Sequence, residues 1–145
     1  MNPQHTIPTM KDGDFCLNES RPTAIYLVSK YGKDDKLYPK DVTTRAIIDQ
    51  RLYFDMGVFY KAYGDIIVSN FIVGKLDLGS NNLLHHFQKY PMFYGQPAPG
   101  KEKMDKFNEV MGWVEDFIKP TGYVAGTDHF TVADIAWVAT FRYYI

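Results

Sequence analysis

The stretch YVAGTDHFTVADIAWVATFRYYI, residues 123–145, decides how the rest of the chain is read. Thr131 and Asp134 stand three apart just before an apolar run, the spacing of a capping box. In that motif the Thr131 hydroxyl accepts the Asp134 backbone N–H, and the Asp134 carboxylate reaches back to the N–H of Thr131. Phe130 precedes the cap and Ile135 occupies the fourth helical position, the two places that meet in a hydrophobic staple. From Val132 to Phe141 the only charge is Asp134, while Ile135, Trp137, Val138 and Phe141 cover every side of the cylinder. A helix apolar all round is expected to be buried all round. Loss of the Thr131 cap then costs toward the upper part of roughly 0.5–2 kcal/mol, because its first N–H groups have no water to turn to.

Working outward, the chain has 145 residues and a net charge of −1, enough for one domain with a sizeable core. There is no basic excess to suggest nucleic acid and no acidic tail. No apolar stretch reaches the roughly 20 residues of a membrane span. The start, MNPQHTIPTMKDGD, lacks the cationic and apolar segments of a signal peptide. Cys16 is the single cysteine, so no internal disulfide forms, which fits a reducing cytosol. The ten Phe, eleven Tyr and two Trp are first of all core material, and secondly an apolar binding surface.

Pro3 and Pro8 exclude a helix at the start. Lys11-Asp12-Gly13-Asp14 reads as a hairpin turn between Ile7-Pro8-Thr9-Met10 and Phe15-Cys16-Leu17. A lone hairpin is marginal in water, so these strands are expected to need a sheet to join. Ser20 is a credible N-cap for a helix over Arg21 to Tyr31, with Pro22 tolerated in its first turn and Gly32 at the stop. Residues 32–40 form a linker. A long helix then runs from Asp41 or Val42 to Tyr63, with Ile48, Leu52, Met56, Phe59 and Tyr63 on one stripe. Asp55 lies on that stripe too and must find a cation or a donor, most simply Arg51 one turn away. Gly and Pro break up residues 74–100, and Lys101 to Lys119 resumes helical order.

Taken together, NPQHTIPT at 2–9, NESR at 18–21 before YLVSKYG, LYPKD at 37–41, QRLYFDMG at 50–57 and YVAGTDHFTVADIAW at 123–137 resemble the cytosolic glutathione transferases. The insect delta and epsilon classes are the nearest in order and spacing. The similarity covers nearly all the chain except about residues 75–100. It implies a mainly α chain: the remnant of a thioredoxin-like domain (β-hairpin plus helix, residues 1–32), a linker (33–41), and a glutathione-transferase-type all-α domain (42–145) that is incomplete and carries an atypical segment at about 75–100.

The same resemblance implies the site. Ile7, before the cis-proline Pro8, would pair its backbone with the cysteinyl unit of glutathione. Glu19 would bind the γ-glutamyl ammonium, and Ser20 with the first amides of its helix the adjacent carboxylate. His5 would lie near the glycyl carboxylate, and Arg21 with Asp55 would extend the charge network beneath. Met56, Tyr60, Tyr63 and Ile72 would face a hydrophobic substrate, while Thr131 and Asp134 stay structural. Glutathione is the implied co-substrate and no metal is implied, His85-His86 lacking any supporting ligand cluster. The implied protein is a cytoplasmic homodimer without nucleic-acid or membrane partners, conjugating the glutathione thiolate to small electrophiles in detoxification. The activating serine of the family lies upstream of the matched segment, so no residue here is assigned as catalytic. The alternatives are an inactive paralogue, truncated at both ends, that binds glutathione or apolar ligands weakly, and an interaction domain of the kind attached to translation factors. Without the resemblance, His5, Glu19 and Arg21 read as solvated surface residues and Met56, Phe59, Tyr60 and Tyr63 as core. The chain alone is expected to be poorly folded or oligomeric, through hairpin edges and an uncovered central helix.

Overall fold

The computed structural model describes residues 2–65 and 100–141. It divides into two compact units, Met1–Asp55 with Val114–Ile145 and Met56–Trp113. The first begins with an antiparallel hairpin of β1 (Thr9–Asp12) and β2 (Phe15–Asn18), in the register Thr9↔Asn18 to Asp12↔Phe15. The turn is therefore tighter than the sequence suggests. Only Gly13 and Asp14 lie between the strands, Gly13 has φ +59, and β1 starts beyond Ile7 and Pro8. Two-residue turns demand positive φ, and glycine supplies it without a steric penalty.

Among the described residues the hairpin joins a helix and no further strand. α1 (Ser20–Tyr31) packs against β2, and Asp12 at the turn is tied to its last turns. One carboxylate oxygen of Asp12 accepts from Tyr26 Oη at 2.7 Å, Lys30 Nζ at 2.6 Å and Tyr31 Oη at 2.6 Å. Lys30, then the two phenols, hold that carboxyl well below the usual carboxylate range. Phe15 also meets Tyr26, ring centroids 5.0 Å apart. A Cβ on Gly32 would sit 2.3 Å from the Val28 carbonyl oxygen, which is why a glycine ends this helix.

Ser20 is the first helical residue and not the N-cap. Glu19 holds that place, with no side-chain cap bond. Inside α1, Thr23 is buried and its hydroxyl has no partner among the described residues. An orphaned hydroxyl keeps its desolvation cost. Thr23→Val, which trades that hydroxyl for a methyl group, is expected to raise stability by about 1 kcal/mol. The denaturation midpoint should move up at unchanged slope; a lower midpoint would show that the hydroxyl is useful where it stands.

α2 (Val42–Phe54) is capped by Asp41, whose carboxylate accepts from Thr44 N at 2.8 Å. The helix does not run on unchanged. Asp55–Phe59 form a π turn before helical geometry resumes over residues 60–65. Each residue of the wider turn advances the chain by a smaller angle, which resets the facing of side chains. Asp55 is wholly buried, whereas Met56, expected on the core stripe, is 47% exposed. Ile48, Leu52, Phe59 and Tyr63 are buried as the stripe requires.

α3 (Lys101–Ile118) buries Phe107, Val110 and Val114. α4 (Val132–Phe141) packs on α1 and α2 through Val132, Ala133, Trp137 and Thr140. Trp137 is the centre of the first unit, its ring 5.7 Å from Phe54 and 6.3 Å from Phe117, with Nε1 donating to Arg51 O at 3.0 Å. The expectation of burial all round fails here. Val138 is 68% and Ile135 43% exposed, and Phe130 is exposed as well. An apolar face says that burial is favourable, not that a neighbour covers it.

The start of α4 corrects a second expectation. Asp134 Oδ2 does accept from Thr131 N, at 2.7 Å, but the Thr131 hydroxyl donates to that same oxygen, at 2.9 Å. Asp134 Oδ1 accepts from Val124 N at 2.9 Å, and the Val132 N–H goes to Leu37 O at 2.9 Å. The carboxylate, more than the threonine, is the hub. No described helix is long and apolar enough to cross a membrane.

Candidate functional site

The register Thr9↔Asn18 puts the segment that precedes β1, with Ile7-Pro8, and the segment that follows β2, with Glu19-Ser20, at the same end of the hairpin. On the first side, Asn2 organises the loop over residues 2–9. Its Nδ2 donates to Thr6 O at 2.9 Å, Thr6 Oγ1 at 3.1 Å and Thr9 Oγ1 at 2.9 Å, and its Oδ1 accepts from Gln4 N at 3.0 Å. The loop sets His5 at φ 54 and makes the Ile7–Pro8 peptide cis. Ile7 is 94% exposed, and its backbone N–H and C=O carry no hydrogen bond among the described residues. Unpaired backbone groups of this kind are what a peptide ligand can pair with.

On the second side, Glu19 has φ 74 and ψ 128, a conformation costly for any residue with a Cβ. The Thr23 N–H closes the first helical bond to Glu19 O at 3.1 Å, and Pro22 has no N–H. The amides of Ser20 and Arg21, at the start of a twelve-residue helix, have no partner among the described residues. Such a helix end attracts a carboxylate, through its N–H groups and the positive end of the helix dipole. Ser20 Oγ accepts from Arg21 Nη1 at 2.8 Å, and its own proton has no acceptor among the described residues.

Beneath this surface Arg21 is locked. Its Nε donates to Asp55 Oδ2 at 3.1 Å and its Nη2 donates to the same oxygen, while Thr140 Oγ1 donates to Asp55 Oδ1 at 2.8 Å. A wholly buried carboxylate needs such partners. The partner of Asp55 is thus Arg21, as the resemblance implies, and not Arg51. Arg51 lies over the Phe117 ring at 3.6 Å and donates to Val124 O at 2.8 Å. Thr140 is the member that sequence reasoning missed. Its only signal is a hydroxyl three residues after Trp137 in an otherwise apolar run.

Of the hydrophobic candidates, Met56 and Tyr60 are exposed and Tyr63 is buried. Ile72 and the pair His85-His86 lie outside the described residues.

No protein-family model matches the chain. Solved structures do. A Bombyx mori glutathione transferase is 43% identical with a TM-score of 0.72, the match covering 97% of this chain and 54% of that one. The chain belongs to the glutathione transferases. A delta-class glutathione transferase of Nilaparvata lugens is 38% identical over 97% of this chain and 55% of its own, again with a TM-score of 0.72. A Drosophila mojavensis glutathione transferase homologue, solved with bound glutathione, is 35% identical with a TM-score of 0.67, covering 97% of this chain and 54% of that chain. This glutathione transferase sequence therefore spans about half the length of the relatives it matches. Its hairpin followed by helices is the fold expected of the last part of a thioredoxin-like domain continuing into an all-α domain.

Proposed function

We propose that this chain holds the glutathione-binding part of a glutathione transferase. The whole protein, in this reading, conjugates the glutathione thiolate to small hydrophobic electrophiles, a detoxifying reaction. One observation supports it: an Ile7 backbone edge and α1 amides that are both uncommitted among the described residues lie at the same end of the hairpin. Ile7 pairs with the cysteinyl unit. Ser20 and the α1 amides take the γ-glutamyl carboxylate, Glu19 its ammonium and His5 the glycyl carboxylate, while Arg21, held by Asp55, positions Ser20. Met56 and Tyr60 are the better supported of the electrophile-facing residues, because they are exposed. The proposal extends to a cytoplasmic homodimer that uses no metal and engages neither nucleic acid nor membrane.

A free thiol of pKa near 8.5 is mostly protonated at neutral pH, so a site that favours the thiolate raises the reactive fraction. The sulfur then bonds to the electrophilic carbon and a leaving group departs. A second reading, binding without turnover, is favoured by Ser20: its oxygen is engaged by Arg21 at 2.8 Å, and the role proposed for its hydroxyl is with the γ-glutamyl carboxylate and not with the thiol. Retention on immobilised glutathione, measured beside conjugation of a chlorinated nitrobenzene, separates the two. We expect retention that free glutathione reverses and that Ser20→Ala weakens about tenfold. Turnover above the spontaneous rate supports the transferase reading for the chain itself, and retention alone supports the binding module. The absence of both would remove the site.

A further inference from the structure

The loop before α4 carries a group that the glutathione site does not use. His129 stands between two acceptors on different segments. Its Nδ1 lies 2.5 Å from Asp128 Oδ1, and its Nε2 lies 3.0 Å from the carbonyl oxygen of Lys36 in the linker. A neutral imidazole has one N–H and can satisfy only one of these, whereas the imidazolium donates to both. The next linker residue is held too, since Leu37 O accepts the buried Val132 N–H that opens α4. Two consecutive linker carbonyls are therefore gripped by the loop and helix that follow α3.

We propose that His129 is a protonation-operated latch, which fastens residues 36–37 of the linker to the start of α4 at acidic to neutral pH and releases them as the pH rises. The charged groups facing the imidazole are the Asp128 carboxylate, on its own loop, and Lys36, on the linker. Asp128 raises the His129 pKa above its ordinary value of 6.5, the Lys36 carbonyl adds to this, and the Lys36 ammonium opposes it. The folded-state pKa lies above the unfolded one. The extra hold is thus fully present below about 6.5 and is lost as the pH climbs through the raised value. On deprotonation the remaining N–H stays with the carboxylate, the stronger acceptor, and the Nε2 lone pair turns against Lys36 O. The neighbouring linker anchor does not titrate in this range. Tyr38 donates to Asp49 Oδ1 at 2.9 Å, and burial together with Asp49 pushes its phenol up to about 12.

The test is an NMR titration of the 145-residue chain between about pH 5 and 9, following the His129 ring nitrogens together with amide exchange at Val132. Expected are a midpoint above 6.5, both ring nitrogens protonated below it, and a loss of Val132 protection of about threefold, corrected for the intrinsic base-catalysed rate, that follows the same midpoint. His129→Gln keeps one donor without the titration, so the pH step should vanish. Asp128→Asn should bring the midpoint down toward the ordinary value, which tests the latch even where the glutamine variant is perturbed. A midpoint at or below 6.5, or Val132 protection that steps identically in His129→Gln, would overturn the proposal. Neither measurement involves glutathione, so the result is independent of the ligand assignment.

Discussion

Asp134→Ala is expected to destabilise the chain by about 2–5 kcal/mol, more than any surface substitution and more than removal of the Thr131 hydroxyl. The carboxylate satisfies the backbone N–H of Thr131 and of Val124, both buried residues, as well as the Thr131 hydroxyl. Removing it leaves two buried donors unpaired, each carrying its own desolvation cost of about 1–3 kcal/mol. It also frees the loop ahead of α4 from the helix it introduces. Asp134→Asn keeps one acceptor oxygen and should lose about half as much. Chemical denaturation of the wild-type, alanine and asparagine chains checks the order. Equal losses for alanine and Thr131→Ala would mean that the threonine, and not the carboxylate, is the hub.

Asp55→Ala should cost about 3 kcal/mol, toward the lower end of what is seen when one partner of a buried ion pair is removed, because the Arg21 side chain is 23% exposed and reaches some water. Besides the Arg21 guanidinium, the Thr140 hydroxyl loses its acceptor. In a double-mutant cycle with Arg21→Ala, the pair should show strong coupling, the second substitution costing far less than the first. The functional consequence is separable. Arg21 orients Ser20 Oγ, so Asp55→Ala and Arg21→Ala should both weaken retention on glutathione at temperatures where the chain remains folded. Additive stability losses would show that Arg21 and Asp55 are independent, and undiminished retention would dismiss the network from the site.

Short-range features were legible because they depend on spacing along the chain. Gly13 marks the hairpin turn, Gly32 the end of α1, and Asp134 the return bond to Thr131 three residues back. The cis Ile7–Pro8 peptide was expected from the resemblance and is present. Where spacing misled, a competing local effect won. The π turn at Asp55–Phe59 moved Met56 off the core stripe, and the N-cap fell on Glu19 because Ser20 already has helical geometry.

By itself, then, the sequence determined the hairpin, the helices, the identity of the capping carboxylate and the family, since each rests on residue types at separations of a few positions or on their order along the chain. For Asp55, spacing along the helix pointed to Arg51 and the resemblance to Arg21, 34 residues away; the tertiary structure decided for Arg21 and alone supplied Thr140, 85 away. It also decided which side chains of α4 are covered, Val132, Ala133, Trp137 and Thr140, and which are left exposed, Ile135 and Val138. A buried charge accepts any donor that reaches it, and an apolar face any neighbour that covers it. Only the packed chain selects which donor and which neighbour those are.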